Sequence, residues 1–151
     1  MTMEAGRDIM HFRNTCSHCC NDVEIPILSD FAYGEILFQS ADARSFAIVD
    51  LINNSVFDEV LQALEKRAIS ESVRAEIAQP MLCDLSDEIN GQPYSTIYPR
   101  CPLCGQKMSF WSDEHRVGMR HLPAPQWSGF TENSPERRMV ILDSLIAKHT
   151  S

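Results

Sequence analysis

At 151 residues, with 44% hydrophobic and 23% charged side chains, the chain has the composition of one soluble globular domain long enough to bury its own core. No apolar run approaches the roughly 18 residues that a membrane helix needs, and no internal repeat or low-complexity tract is visible. The net charge of −8 is unevenly held, with 14 Asp and Glu against 4 Lys and Arg in residues 21–95 but 5 against 7 in residues 96–151; the acidic middle repels phosphate backbones and attracts basic partners.

The opening residues, with Glu4, Arg7, Asp8, His11 and Arg13 scattered through them, contain no apolar leader core, so a cytoplasmic location with reduced thiols is expected. Next, Thr15-Cys16-Ser17-His18-Cys19-Cys20 offers two thiolates two residues apart, which one tight turn can present to the same side. Spacing selects Cys16 and Cys19. Cys20 is the alternative second ligand, and His18 could replace a sulfur.

Residues 23–28 alternate as the returning strand of a first hairpin, and Pro26 confines that strand to a sheet edge. Residues 33–39 and 44–50 are rich in aromatic and β-branched side chains, with a hairpin-length connection between them, which predicts an antiparallel sheet of about three strands. Asn54 or Ser55 then caps an amphipathic helix whose apolar stripe is Val56, Phe57, Val60, Leu61 and Leu64, and Ser55 with Asp58 has the form of a capping box. A second helix begins near Ser70 or Ser72, and Pro80 should end or kink it, with another turn or two over 81–89. Asn90-Gly91-Gln92-Pro93 is a stop. Cys83, beside Leu82 and Leu85, reads as a small core residue.

Residues 96–98 form an expected strand into a second Cys-x-x-Cys turn, Arg100-Cys101-Pro102-Leu103-Cys104-Gly105, and residues 108–111 lead out of it. Pro102 stiffens the turn, and Gly105 can take the positive φ needed directly after the second ligand. From 112 to 133 the pattern dissolves into a long loop containing His115, His121, Pro123, Pro125, Trp127 and Phe130. Ser134 caps a final helix over 134–149, with Pro135 in its first position and Met139, Leu142, Leu145 and Ile146 as its buried stripe.

Strand, knuckle and strand in this order resemble a zinc ribbon, over the two cysteine pairs and their flanks, about a third of the chain. The resemblance implies one structural Zn2+ per chain, held by Cys16, Cys19, Cys101 and Cys104, with an 81-residue excursion between the pairs. Cys20 departs from the pattern by standing where the family usually has glycine. A disulfide framework and a redox Cys-x-x-Cys are the alternatives. The expected architecture is a single α+β domain over 1–151: a small antiparallel sheet with split zinc-ribbon-like hairpins, covered by two or three helices, the acidic excursion over 21–95 pinned at its base.

Three functions fit these features. The favoured one is a non-enzymatic, zinc-stabilised protein-binding module, an inhibitor or immunity-type partner of a basic protein such as a nuclease toxin, in which carboxylates occupy a phosphate site. Its candidate contact residues are Asp30, Tyr33, Glu35, Asp58, Glu59, Trp111 and Trp127, with Phe38 a further aromatic anchor. The second is a ribbon binding nucleic acid or a transcription component, through Arg100, Lys107, Arg116, Arg120, Arg137 and Arg138. The third is an enzyme built on the 112–133 loop around His115 and His121. It lacks a phosphate-binding glycine loop, Gly-x-Ser-x-Gly, His-Glu-x-x-His and the deaminase motif order.

Overall fold

The computed structural model describes residues 6–28, 33–108 and 115–150. Its first sheet has the order β2-β1-β6 and is antiparallel throughout. The central strand β1 (Gly6–Thr15) turns inward Ile9, His11 and Asn14, a parity change forced by a register shift between His11 and Phe12. Beside it lies β2 (Asp22–Pro26), an edge strand as the position of Pro26 requires, paired from Thr15↔Asp22 to His11↔Pro26. The opposite edge is β6 (His115–Pro123).

The first hairpin implied an outgoing strand, which β1 supplies without its bounds having been assigned; β6 was not expected, and most of the described part of the predicted 112–133 loop is regular: β6, and then the short helix α3 (Ser128–Thr131). The physical reason is that only Leu122 is buried in β6 and two of the three inward residues of β1 are polar, so neither strand shows apolar alternation.

The second sheet has the order β4-β3-β5, built from β3 (Glu35–Ser40), β4 (Phe46–Asp50) and the two-residue β5 (Tyr94–Ser95). It is the antiparallel three-stranded sheet expected from residues 33–50, but its third strand precedes the predicted 96–98 segment. Those residues form no strand; Ile97 is 59% exposed and has no buried face to join.

Three longer helices cover this sheet. In α1 (Ser55–Lys66), Asn54 is the cap, its Oδ1 accepting the Phe57 N–H at 3.0 Å; the Ser55–Asp58 capping box does not form. α2 (Glu71–Leu85) is not ended by Pro80 but continues to Leu85, because burial of Ile77, Ala78, Met81, Leu82, Cys83 and Leu85 along its length outweighs one missing N–H donor. α4 (Pro135–Thr150) starts at Ser134, whose Oγ accepts the Arg137 N–H at 3.2 Å. It buries Leu142 and Ile146, with Leu145 half-covered and Met139 exposed.

The main core lies between the second sheet and these helices: Phe38 and Val49 from the sheet meet Val60 and Leu64 of α1, Met81 and Leu82 of α2, and Leu142 of α4. A smaller cluster of Ile9, Ile48 and Leu122 joins the two sheets, and a third is built on Cys16, Cys101, Val23, Ile25 and Met108. Phe46 packs against both smaller clusters and so connects the cysteines to the rest of the molecule. The fold is α+β. No helix among the described residues is long and apolar enough to cross a membrane.

Candidate metal centre

The two cysteine turns have the same backbone plan. In the first, the Cys20 N–H donates to the Cys16 carbonyl and the Cys16 N–H to the Asn21 carbonyl, both at 2.9 Å. In the second, the Gly105 N–H donates to the Cys101 carbonyl and the Cys101 N–H to the Gln106 carbonyl, both at 2.8 Å. Each turn also aims an amide at its first sulfur: His18 N–H to Cys16 Sγ, and Leu103 N–H to Cys101 Sγ, both 3.4 Å. The residue after each second cysteine is left-handed, Gly105 at φ 77 and Cys20 at φ 62. Cys20 therefore occupies the glycine position of the turn, in a conformation that strains a side chain.

The first turn closes the β1–β2 hairpin, where Thr15 Oγ1 donates to Asp22 Oδ1 at 2.7 Å. The second is closed more loosely, by the bridge Arg100↔Lys107 and by the Met108 N–H on the Pro99 carbonyl at 2.9 Å. Of the segment expected to lead out, residues 109–111 lie outside the described residues.

The turns face each other and bring Cys16, Cys19, Cys101 and Cys104 together, all four sulfurs within 4.8 Å of one another. Cys16 Sγ is 3.6 Å from Cys104 Sγ, and Cys19 Sγ is 3.7 Å from Cys101 Sγ. Four thiolates about 2.3 Å from a central ion would be about 3.8 Å apart, so the residues present fit a tetrahedral metal shell. The first cysteine of each pair is buried and the second half-buried. Four cysteines from two pairs with 81 residues between them can thus hold one metal ion.

The thiols are electrostatically unequal. The N–H groups of Cys19 and His18 pull Cys16 down to about 6 despite its burial, and the Asn21 N–H lowers Cys19. At Cys104 the Gln106 N–H acts in the same direction, but burial and the adjoining thiols Cys16, Cys101 and Cys19 push it up to about 12. A cation at the centre would favour the thiolate form of all four.

His18 is exposed and contributes only its backbone amide, and the Cys20 side chain points to solvent. Cys83 is far from the cluster in the main core, its thiol pushed up to about 12 by burial and by Asp84.

The candidate contact residues are dispersed. Tyr33 is 89% exposed, and Asp58 is exposed on α1. Glu35 is ion-paired with Arg7, and Glu59 with Arg138 at 3.0 Å. Trp127 is half-buried against the main core, its indole N–H donating to the Leu82 carbonyl at 2.9 Å. Phe38 is wholly buried and is no surface anchor. Asp30 and Trp111 lie outside the described residues.

Among the basic candidates, Arg100 donates to the Ser40 and Ala41 carbonyls and Arg120 pairs with Glu24. His121 lies 3.5 Å from Asp8 on the β1–β6 pair, and His115 begins β6. Sequence reasoning missed Gln39, whose buried amide fastens Arg100 to the second sheet; a lone glutamine at a strand end gives no signal of such a role. Compared with protein-family models, with curated proteins and with solved structures, the chain shows no significant match.

Proposed function

We propose that the protein is a zinc-clasped, non-catalytic protein-binding module whose partner is basic, of the inhibitor or immunity type. Soft thiolates at tetrahedral spacing favour zinc over the oxygen-seeking cations, and a shell closed by four protein sulfurs leaves no position for water or substrate. The metal is then structural: it ties the β1–β2 hairpin to the segment after β5, and the acidic excursion is held between them.

The observation that carries the partner reading is a set of carboxylates with no ion-pair partner among the described residues: Asp58, Glu65, Glu71, Glu76 and Glu88, all exposed on α1, α2 and the turn after α2. Unneutralised like charges on adjoining helices destabilise the free protein slightly and are relieved by a cationic surface. The basic candidates support a nucleic-acid reading less well, since Arg100, Arg120 and Arg138 are already engaged internally.

The test is affinity capture from the native cell with the zinc-loaded chain as bait. The expected result is one basic protein in stoichiometric yield, released by moderate salt. Recovery of nucleic acid, with no basic protein, would contradict the reading.

A further inference from the structure

A groove of about 470 Å³ runs between α1 and α2. Phe57 and Ala78, which also touch the main core, form its floor, and Leu61 and Ala75 its exposed walls. Glu65 and Glu71 stand on its rim, and Asp58, outside the lining, lies two turns before Glu65 on the same stripe of α1, one residue from Phe57. Among the described residues, Arg74 is the one cation lining the groove.

We propose that this groove docks a basic amphipathic helix of a partner protein, a proposal that rests on the partner reading above. Phe57 and Leu61 are one turn apart on α1, and Ala75 and Ala78 nearly so on α2. Two helices meeting over small residues leave a furrow into which the ridge of a third helix can pack. The incoming apolar stripe would cover Leu61, which is 38% exposed despite its place on the helix's apolar face. Lysines or arginines flanking that stripe would face Asp58, Glu65 and Glu71. Charge selects the occupant: a second copy of this chain would set these carboxylates against their own counterparts, whereas a cationic helix meets three carboxylates and one opposing guanidinium.

The test uses a synthetic helical peptide of leucine and lysine with its leucines on one face, beside a peptide of the same composition in scrambled order. Binding to the zinc-loaded chain is followed by backbone amide shifts and calorimetry. The amphipathic peptide should bind at least tenfold more tightly than the scrambled one, with shifts centred on Phe57, Leu61, Ala75 and Ala78. Leu61→Lys should weaken it by tenfold or more, and Arg74→Glu should strengthen it severalfold. Both positions are surface-accessible; if Leu61→Lys does not fold, Glu65→Lys takes its place.

Equal affinity for both peptides, shifts outside the groove, or a Leu61-dependent dimer without peptide would overturn the proposal. A basic partner that the Leu61→Lys chain still captures would overturn the groove and leave the partner reading standing; failure of the unaltered chain to capture any basic protein would remove that reading itself.

Discussion

The Gln39 side chain pairs with the Arg100 backbone as a neighbouring strand would: its Oε1 accepts the Arg100 N–H and its Nε2 donates to the Arg100 carbonyl, each at 2.8 Å. The same Nε2 donates to the Ala43 carbonyl at 2.8 Å, and the Arg100 guanidinium returns hydrogen bonds to the Ser40 and Ala41 carbonyls. Gln39 is fully buried, so these bonds are made away from water. Through this reciprocal lock, the residue just before Cys101 is fixed to the β3–β4 hairpin, and the second cysteine turn is aimed at the first.

Replacing Gln39 by leucine keeps the volume but leaves the Arg100 and Ala43 backbone groups buried and unpaired. The expected loss is about 2 kcal/mol, which for a chain of this size lowers the melting temperature by roughly 4–8 °C. Metal retention against a competing chelator should weaken as well, because the second turn loses its anchor. An unchanged melting curve and unchanged metal retention would show that the lock is dispensable.

Cys20 holds the left-handed position that Gly105 holds in the other turn. Cys20→Gly should therefore raise stability, by about 1 kcal/mol, with metal content unchanged. The substitution also decides between the two candidate ligands: a loss of metal in Cys20→Gly, with retention in Cys19→Ser, would assign the site to Cys20.

Pro80 removes one hydrogen-bond donor from the interior of α2. Pro80→Ala restores it at a half-exposed position, and since proline in a helix interior costs about 3 kcal/mol, a gain of about 1 kcal/mol or more is expected by denaturant titration. No gain would mean that the helix already bends to accommodate the ring.

Three buried groups set the alkaline limit of stability. Cys83 is pushed up to about 12 by burial, then by Asp84; Tyr94 is pushed up to about 12 by burial, then by Cys83; burial also raises Tyr98, which donates to the Pro26 carbonyl. The folded state thus holds these protons more tightly than the unfolded chain, whose values are 9.0 for the thiol and 10.0 for the phenols. Their contribution is fully present below pH 9.0 and falls as pH rises toward 12. Spectroscopic titration should show Tyr94 and Tyr98 ionising only as the protein unfolds; ionisation of both in the ordinary phenol range in the folded protein would contradict this.

What was legible in the sequence is what apolar patterning and metal-ligand spacing encode. Val56, Val60 and Leu64 mark α1, Leu142 and Ile146 mark α4, and the paired Cys-x-x-Cys turns mark the candidate centre, because each depends on local periodicity or on a chemically distinctive spacing. The extent of β1 and the whole of β6 were not legible: His11 and Asn14 occupy inward positions of β1, a bulge reverses its parity, and β6 presents Leu122 as its sole buried side chain. Their pairing is stabilised by backbone hydrogen bonds across some hundred residues of chain, a relationship no local window contains. Gln39 was hidden for the same reason, since its partner is 61 residues away.

The central claim is the metal clasp, and it is tested most directly by native mass spectrometry of the protein purified without chelator, with Cys101→Ser alongside. One zinc per chain, lost in Cys101→Ser and kept in Cys83→Ala, is the expected result. A folded chain free of metal, or one whose Cys16, Cys19, Cys101 and Cys104 are joined as disulfides, would contradict the account.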